Sequence, residues 1–172
     1  MPRNPQARMQ ELGLELPQVP RPGGSYVPAV RTGNLVFTAG QVSFEDGEIH
    51  VTGKVGDAVS LEEAQHAARL CALNALAAAA SEAGGLDRIS RIIKVVGYVA
   101  SAPGFNGQPG VLNGASELLG EVFGDAGLHA RSAVGVSELP LDSPVEVEIV
   151  VSLPVYGKAG QKPPGLTSRS TS

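Results

Sequence analysis

Residues 145–153 constrain the fold of this 172-residue chain more than any other segment, because every odd-numbered position in it is aliphatic. Glu146 and Glu148 lie among the even-numbered positions. A period of two predicts a β-strand whose aliphatic face is buried, here under helices. Since a dry, unpaired carboxylate is costly, Glu146 and Glu148 require water, a cationic partner or a ligand on the opposite face.

Two other segments have the hydrophobic spacing of helices. Ser60 to Glu63 has the capping-box pattern, and apolar residues recur at helical spacing from there until Gly84-Gly85 ends the segment. Residues 111–123 repeat this spacing. Between the two helices, residues 89–100 are rich in β-branched residues, which predicts a central strand.

The remaining segments predict further strands. Asn34 to Gln41 is one, with Glu48 to Thr52 pairing to it across the Asp46-Gly47 turn. A strand that begins at Arg131 is predicted to form an antiparallel hairpin with residues 145–153. Strands and helices in this order predict an α+β fold in which two helices pack on one face of a mixed sheet.

Composition excludes some functions and favours a small-molecule partner. Aromatic residues make up 4% of the chain, the net charge is −4, and the 13 lysines and arginines are scattered, which disfavours nucleic-acid binding. The longest apolar run, residues 92–102, is too short to span a membrane. A single cysteine, Cys71, cannot form an internal disulfide, and the N-terminus has no apolar signal core, so the expected location is cytoplasmic.

Proline-rich termini flank one predicted domain. Residues 1–23 are predicted to be an irregular N-terminal extension, and residues 156–172 a disordered tail that is rich in Ser and Thr. Residues 24–155 form the predicted domain, whose length suffices for one hydrophobic core.

Arg131 places a planar cation at the start of a strand of small residues. A guanidinium suits a carboxylate ligand, because it can donate two parallel hydrogen bonds. The alternative is an ordinary strand-end arginine that is solvated or paired with Glu138.

Several motifs in a fixed order resemble those of the RidA family (YjgF/YER057c/UK114, formerly "endoribonuclease L-PSP") over roughly residues 24–153. They are Gly24 to Val30, Gly33 to Gln41, the Asn74 helix, Asn113, the Arg131-Ser132 segment with its Leu139-Pro140 turn, and the Val-Glu strand from Val145. The resemblance implies the chorismate-mutase-like fold, a homotrimer with sites between subunits, and no requirement for a metal or organic cofactor.

The resemblance also implies an activity, the hydrolytic deamination of reactive enamine/imine intermediates such as 2-aminoacrylate to 2-keto acids and ammonia. In this scheme Arg131 holds the substrate carboxylate and Glu146 is the catalytic acid/base. Tyr26 hydrogen-bonds the water or the substrate. Gly40 allows close approach of the backbone, and the amide of Asn113 completes the substrate-binding set.

Alternatives remain open for these residues. The local Val-Glu-Ile sequence matches the family pattern better with Glu148 as the acid/base, whereas the number of residues from Arg131 matches it with Glu146. Tyr26 could pack against the first strand, Gly40 could mark a bulge, and Asn113 could lie near a helix start.

The predicted hairpin sets the distance between the two charged groups. It places Glu146 near Glu138 and Arg131 near Leu153, so that about seven residues, or 23 Å, separate Arg131 from the level of Glu146. One small substrate cannot span that distance. If both residues act on the same molecule, they must therefore come from different chains.

The sequence departs from the family pattern beside the arginine. Ala133 stands where many relatives have Cys, and His129 where they usually have Pro. Two competing functions follow: a non-catalytic trimeric protein that binds or senses small carboxylates, and a ribonuclease. The acidic charge balance and the sparse aromatics argue against the ribonuclease.

Overall fold

The computed structural model describes residues 4–19 and 21–155. The described chain contains three α-helices and eight strands. The helices are α1 (Pro5–Glu11), α2 (Leu61–Ala83) and α3 (Gln108–Phe123). The strands are β1 (Ala29–Thr32), β2 (Leu35–Thr38), β3 (Gln41–Val42), β4 (Phe44–Glu45), β5 (Glu48–Ile49), β6 (Arg91–Ala100), β7 (Ala130–Val136) and β8 (Val145–Ser152). Short 3-10 turns cover Leu86–Arg88, Gly124–Gly127 and Pro140–Asp142.

One mixed sheet forms the centre of the fold. Its strands lie in the order β1-β2-β8-β6-β7, β3 also pairs with β8, and only β6 and β7 are parallel among these pairs. The predicted α+β class and the burial of one face are confirmed, because β8 alternates between buried and half-buried residues. α2 and α3 pack on the buried face.

The termini of α2 follow the predicted capping chemistry. The Ser60 hydroxyl accepts from the Glu63 amide, the Glu63 carboxylate accepts from the Ser60 amide, and Gly84 ends the helix with φ 84°. α2 is mostly alanine on its buried side, so it approaches α3 closely. A Cβ on Gly114 of α3 would overlap the backbone carbonyl of Gln65.

The predicted hairpin between β7 and β8 is wrong, because β6 lies between them. The connection, residues 137–144, is longer than the two to five residues typical of hairpins, which allows it to cross one strand. α3 joins β6 to β7 by the crossover that a parallel pair requires. β6, the long β-branched strand, therefore pairs with both of its neighbours.

Two smaller predictions also need correction. The predicted pairing across the Asp46-Gly47 turn is wrong, because this turn joins β4 to β5. The strand predicted from Asn34, β2, pairs instead with β1 and β8. The N-terminal 23 residues are not wholly irregular, because α1 occupies Pro5–Glu11 and buries Met9 in the core. Asn4 caps α1 and also donates to Asp87, and the Arg8 guanidinium donates to the carbonyl of Glu121. The predicted tail, residues 156–172, lies outside the described residues.

The sheet face opposite the helices, which we call the open face, is not covered by any described element. The alternation of each strand places these side chains on it: Val30, Phe37, Lys94, Val96, Tyr98, Ser132, Val134, Glu146, Glu148 and Val150. Val30, Phe37 and Val134 are exposed on this face. Among the described residues, no helix is both long and apolar enough to cross a membrane.

Candidate functional site

A pocket of about 320 Å³ lies beside β3 and β8, and we call it the Glu146 pocket. Three of the five predicted site residues line it: Tyr26 from the loop before β1, Gly40 from the link between β2 and β3, and Glu146 from β8. Glu148, two residues further along β8, does not line it. The Tyr26 hydroxyl accepts from the amide of Gly23, so the ring folds back over its own loop.

Glu146 lies in an environment that disfavours its charge. Its strand neighbours are Val42 on β3 and Tyr98 on β6, and no ion pair involving it is found within residues 4–19 and 21–155. Partial burial, and secondarily the nearby charge of Glu148, raise the pKa of Glu146 above its usual range. A carboxylate with a raised pKa is suited to accept and return a proton near neutral pH.

Tyr98 links the two carboxylates. Burial, then the charges of Glu148 and Glu146, and last a side-chain interaction with Glu148, raise the pKa of the Tyr98 hydroxyl. Glu148 thus has a structural partner on the open face, whereas Glu146 faces the pocket. This difference favours Glu146 over Glu148 as the group available to a ligand.

Gly40 makes room for the Glu146 carboxylate. A Cβ at position 40 would overlap Oε1 of Glu146 and lie 2.7 Å from Cδ. The glycine is therefore a requirement of the pocket, since any side chain there would displace the carboxylate from its present position.

Arg131 and Asn113 form a second group of predicted site residues, away from the Glu146 pocket. Nη1 of Arg131 donates to Oδ1 of Asn113 at 2.9 Å and to the Ser116 hydroxyl at 3.1 Å, and Nη2 donates to the carbonyl of Pro109 at 3.2 Å. The guanidinium is thus held against the first three turns of α3. Its Nε–H and one Nη2–H have no partner among the described residues, which leaves two donors for a ligand.

His129 and Ser116 hold this arginine in place. His129 Nδ1 lies 2.6 Å from the carbonyl of Gly127, so this nitrogen carries the proton and donates. Nε2 is then the acceptor for the Ser116 hydroxyl at 3.0 Å, and the Ser116 oxygen accepts in turn from Arg131. A hydrogen-bonded chain therefore runs from Gly127 through His129 and Ser116 to Arg131.

Arg131 and Glu146 lie on opposite faces of the sheet. Arg131 is in register with Val95 of β6, which is buried under the helices, whereas Glu146 is in register with Tyr98 on the open face. The strand register separates them by three residues, about 10 Å, along the strands and by two strand spacings, again about 10 Å, across the sheet. The 23 Å separation from the predicted hairpin is wrong, but the two side chains do not share a pocket within one chain.

The sequence did not identify Arg21 or Ser116 as part of either group, and it marked His129 only as a departure from the family pattern. Arg21 lines the Glu146 pocket from the segment after α1, and no local motif marks it. Ser116 follows Asn113 by three residues on α3, so helical spacing from Asn113 was the available signal. Cys71 is buried, and its burial raises the pKa of the thiol well above its usual range.

The sheet topology, the pair of covering helices and the two residue groups define a protein of the chorismate-mutase-like class. The family described as "YjgF/chorismate_mutase-like, putative endoribonuclease" matches residues 6–153. The chain therefore belongs to the YjgF family, also called RidA.

Individual relatives agree with this assignment. The crystal structure of Atu1372 from Agrobacterium tumefaciens, a protein of unknown function, is 43% identical with a TM-score of 0.81, covering 88% of this chain and 94% of that one. Protein TCP17 of Trypanosoma cruzi is 40% identical over 86% of this chain and 92% of its own length. A 2-iminobutanoate/2-iminopropanoate deaminase of Dermatophagoides farinae is 33% identical over 80% of this chain and 93% of its own.

Proposed function

We propose that this protein hydrolyses reactive enamine/imine intermediates such as 2-aminoacrylate to 2-keto acids and ammonia, at sites shared between the subunits of a homotrimer. The observation that carries the proposal is the division of the site residues into two groups on opposite faces of one sheet. One group offers a cation with two available donors, and the other offers a carboxylate with a raised pKa. The name of the Dermatophagoides farinae relative supports the same reaction class.

Arg131 supplies recognition of the substrate carboxylate. Asn113, Ser116 and Pro109 take three of its N–H groups, so that Nε–H and one Nη2–H remain to bind two carboxylate oxygens. Asn113 then acts as a positioning residue, because its amide oxygen is bound to the guanidinium.

Glu146 supplies proton transfer. After a proton from solvent adds to the terminal carbon of the enamine to give the iminium, Glu146 takes a proton from water as the water oxygen bonds to the iminium carbon and the C=N π pair moves to nitrogen. Glu146 then gives this proton to the nitrogen of the carbinolamine, the C–N bond breaks as ammonia leaves, and the hydroxyl proton passes through Glu146 to solvent as the carbonyl forms. Tyr26 lies in the same pocket and orients the attacking water.

The open face supports the proposed homotrimer. Val30, Phe37 and Val134 are exposed on it, and Glu146 borders it. Val30 and Phe37 are neighbours across the β1–β2 pair, and exposed apolar side chains on an uncovered face are typical of a surface that binds another chain. A copy packed there could bring its Arg131 to the Glu146 pocket, which Arg21 of the same chain also lines.

The partner and location that we propose follow from charge and cysteine content. A net charge of −4 gives little attraction for phosphates, so we propose a small imine and not RNA as the substrate. One buried cysteine without a disulfide is compatible with the reducing cytoplasm, where we propose that the protein acts.

The direct test is the release of ammonia and 2-keto acid from 2-aminoacrylate, generated in the assay by a pyridoxal-phosphate-dependent dehydratase. The wild type is expected to accelerate release, and Glu146→Gln to lose about 10²–10⁴-fold of that acceleration, the range of general acid–base catalysis. Binding of 2-keto acids without turnover by a folded oligomer would favour the non-catalytic alternative. RNA cleavage that persists after nuclease-free purification and disappears in Arg131→Ala would favour the ribonuclease.

Gly40→Ala is expected to reduce kcat/KM by about 10²-fold, because a displacement of about 1 Å in a catalytic group has effects of that size. The added methyl would overlap the Glu146 carboxylate and push it from the pocket. Gly120→Ala is the matched control, since a Cβ there meets nothing within 4 Å. Equal activity of both variants would show that the position of Glu146 is not critical.

Glu146→Gln is expected to stabilise the folded protein at neutral pH. Because the fold raises the pKa of Glu146, ionisation costs stability, and this cost develops as pH rises from the ordinary value through the raised one. The gain in Tm should therefore be absent below pH 4.5 and complete above the raised pKa. It should reach at most about 2–4 °C, since a half-exposed group is partly screened by solvent. Thermal melts of both proteins between pH 4 and 8 measure it, with the exposed Glu117→Gln as control; a gain that grows toward low pH would contradict the assignment.

A further inference from the structure

Three side chains of types that can coordinate a metal ion converge on the surface at the start of α2. Glu45 comes from β4, His50 from the residue after β5, and His66 from the second turn of α2. One ligand atom from each of the three residues lies within 4.8 Å of the other two. His50 Nδ1 is 2.7 Å from Oε2 of Glu45, and the His50 and His66 rings meet edge to face with centroids 4.6 Å apart.

We propose that Glu45, His50 and His66 form a binding site for one divalent transition-metal ion, with Zn²⁺ the representative case. Two imidazole nitrogens and one carboxylate oxygen are a donor set that suits zinc, with water as the fourth ligand. Bond lengths of about 2.0–2.2 Å place tetrahedral ligand atoms about 3.3 Å apart. The 2.7 Å between His50 Nδ1 and Glu45 Oε2 must therefore open by about 0.6 Å, and separations of up to 4.8 Å must close by up to about 1.5 Å. Both shifts are within reach of rotations of these exposed side chains.

A simple ion pair would need only Glu45 and His50. It leaves unexplained why the third donor, His66, packs against the His50 ring from a different element. Glu63, the other nearby carboxylate, is not a competing ligand in this arrangement, because it accepts the Ser60 amide in the capping box of α2. The convergence of three donors is what distinguishes this cluster from the other surface ion pairs of the described chain, which are two-residue contacts.

The proposed ion would join the β4–β5 hairpin to α2. Phe44, the residue before Glu45, lines the Glu146 pocket, so the metal would fix one wall of that pocket without entering it. The proposed deamination needs no metal, and the two proposals therefore stand or fall separately. Imidazole is a poor ligand for hard, oxygen-preferring cations such as Mg²⁺, so Mg²⁺ should not bind here.

The chain offers an internal control, because it contains three histidines and only His129 lies outside the cluster. Zn²⁺ binding is measured by equilibrium dialysis and calorimetry on tag-free, full-length protein: the wild type, His50→Ala, His66→Ala, Glu45→Gln and His129→Asn. We expect one Zn²⁺ per chain in the wild type and in His129→Asn. Each histidine replacement in the cluster should weaken binding by at least about 10-fold, because even loss of an outer-shell partner weakens metal binding 10–100-fold.

A second readout separates specific binding from loss of folding. Zn²⁺ should raise the Tm of the wild type, by about 5–10 °C when its free concentration is 100 times the dissociation constant, and Mg²⁺ should not. His66→Gln, which keeps a polar side chain of similar size, should retain the metal-free Tm and lose the Zn²⁺ response. Zn²⁺ binding that is equal in the wild type, His50→Ala and His66→Ala, or a stoichiometry well below one, would overturn the proposal.

Discussion

Arg131→Ala is expected to reduce kcat/KM for 2-aminoacrylate by about 10²–10⁴-fold. Two hydrogen bonds to a charged carboxylate contribute about 1.5–3 kcal/mol each, and every 1.4 kcal/mol corresponds to a factor of ten. Arg131→Lys should be nearly as impaired, because one ammonium cannot replace both the bonds to Asn113, Ser116 and Pro109 and the two donors left for substrate. The coupled dehydratase assay measures both variants.

The matched control is Arg31→Ala. Arg31 is an exposed strand arginine whose Nε donates to the carbonyl of Gly33, two residues away, so that its loss should leave kcat/KM unchanged. Full activity in Arg131→Lys would show that charge alone is sufficient, and the bidentate role would then be wrong. Full activity in Arg131→Ala, with normal folding, would remove Arg131 from the site.

Local chemistry predicted the elements of this fold well. The alternation in β8 is set by burial of one strand face, and the ends of α2 are set by Ser60, Glu63 and Gly84, all of which act within a few residues. The neighbour of β8 was not predictable in the same way. Strand pairing depends on residues far apart in the sequence. Here β6 lies between β8 and β7, because α3 returns the chain so that β7 runs parallel to β6 on its other side.

The N-terminal segment shows a second limit. Two prolines in the first five residues indicate irregular structure, but Pro5 lies at the start of α1, where a missing amide has no cost. Burial of Met9 against distant parts of the chain then stabilises a helix too short to persist alone. That contact is tertiary, so no local pattern in the sequence revealed it.

Five residues of the two groups were predicted through family resemblance, and their geometry was not. The face on which Arg131 lies depends on its register with Val95, and the same register brings it to Ser116 and His129. A one-residue shift would move Arg131 to the open face. Hence register, which sequence leaves open, decides whether Arg131 and Glu146 of one chain can meet.

This geometry makes mixed oligomers the sharpest test of the shared site. Arg131→Ala and Glu146→Gln should each be inactive alone, since every site then lacks either its cation or its carboxylate. Refolded together in equal amounts, they form sites that draw each group from a different chain. About a quarter of these sites receive an intact Arg131 from one variant and an intact Glu146 from the other, because each is supplied with a chance of one half in a cyclic trimer.

The mixture should therefore recover about 25% of wild-type activity. Light scattering first establishes that each preparation is trimeric, and separately refolded samples combined only in the cuvette provide the control, since they cannot exchange subunits during a short assay. If one chain supplied both groups, every site in the mixture would remain defective and no activity would return. Recovery would instead assign Arg131 and Glu146 to the same reaction and to different subunits, because neither variant carries both groups.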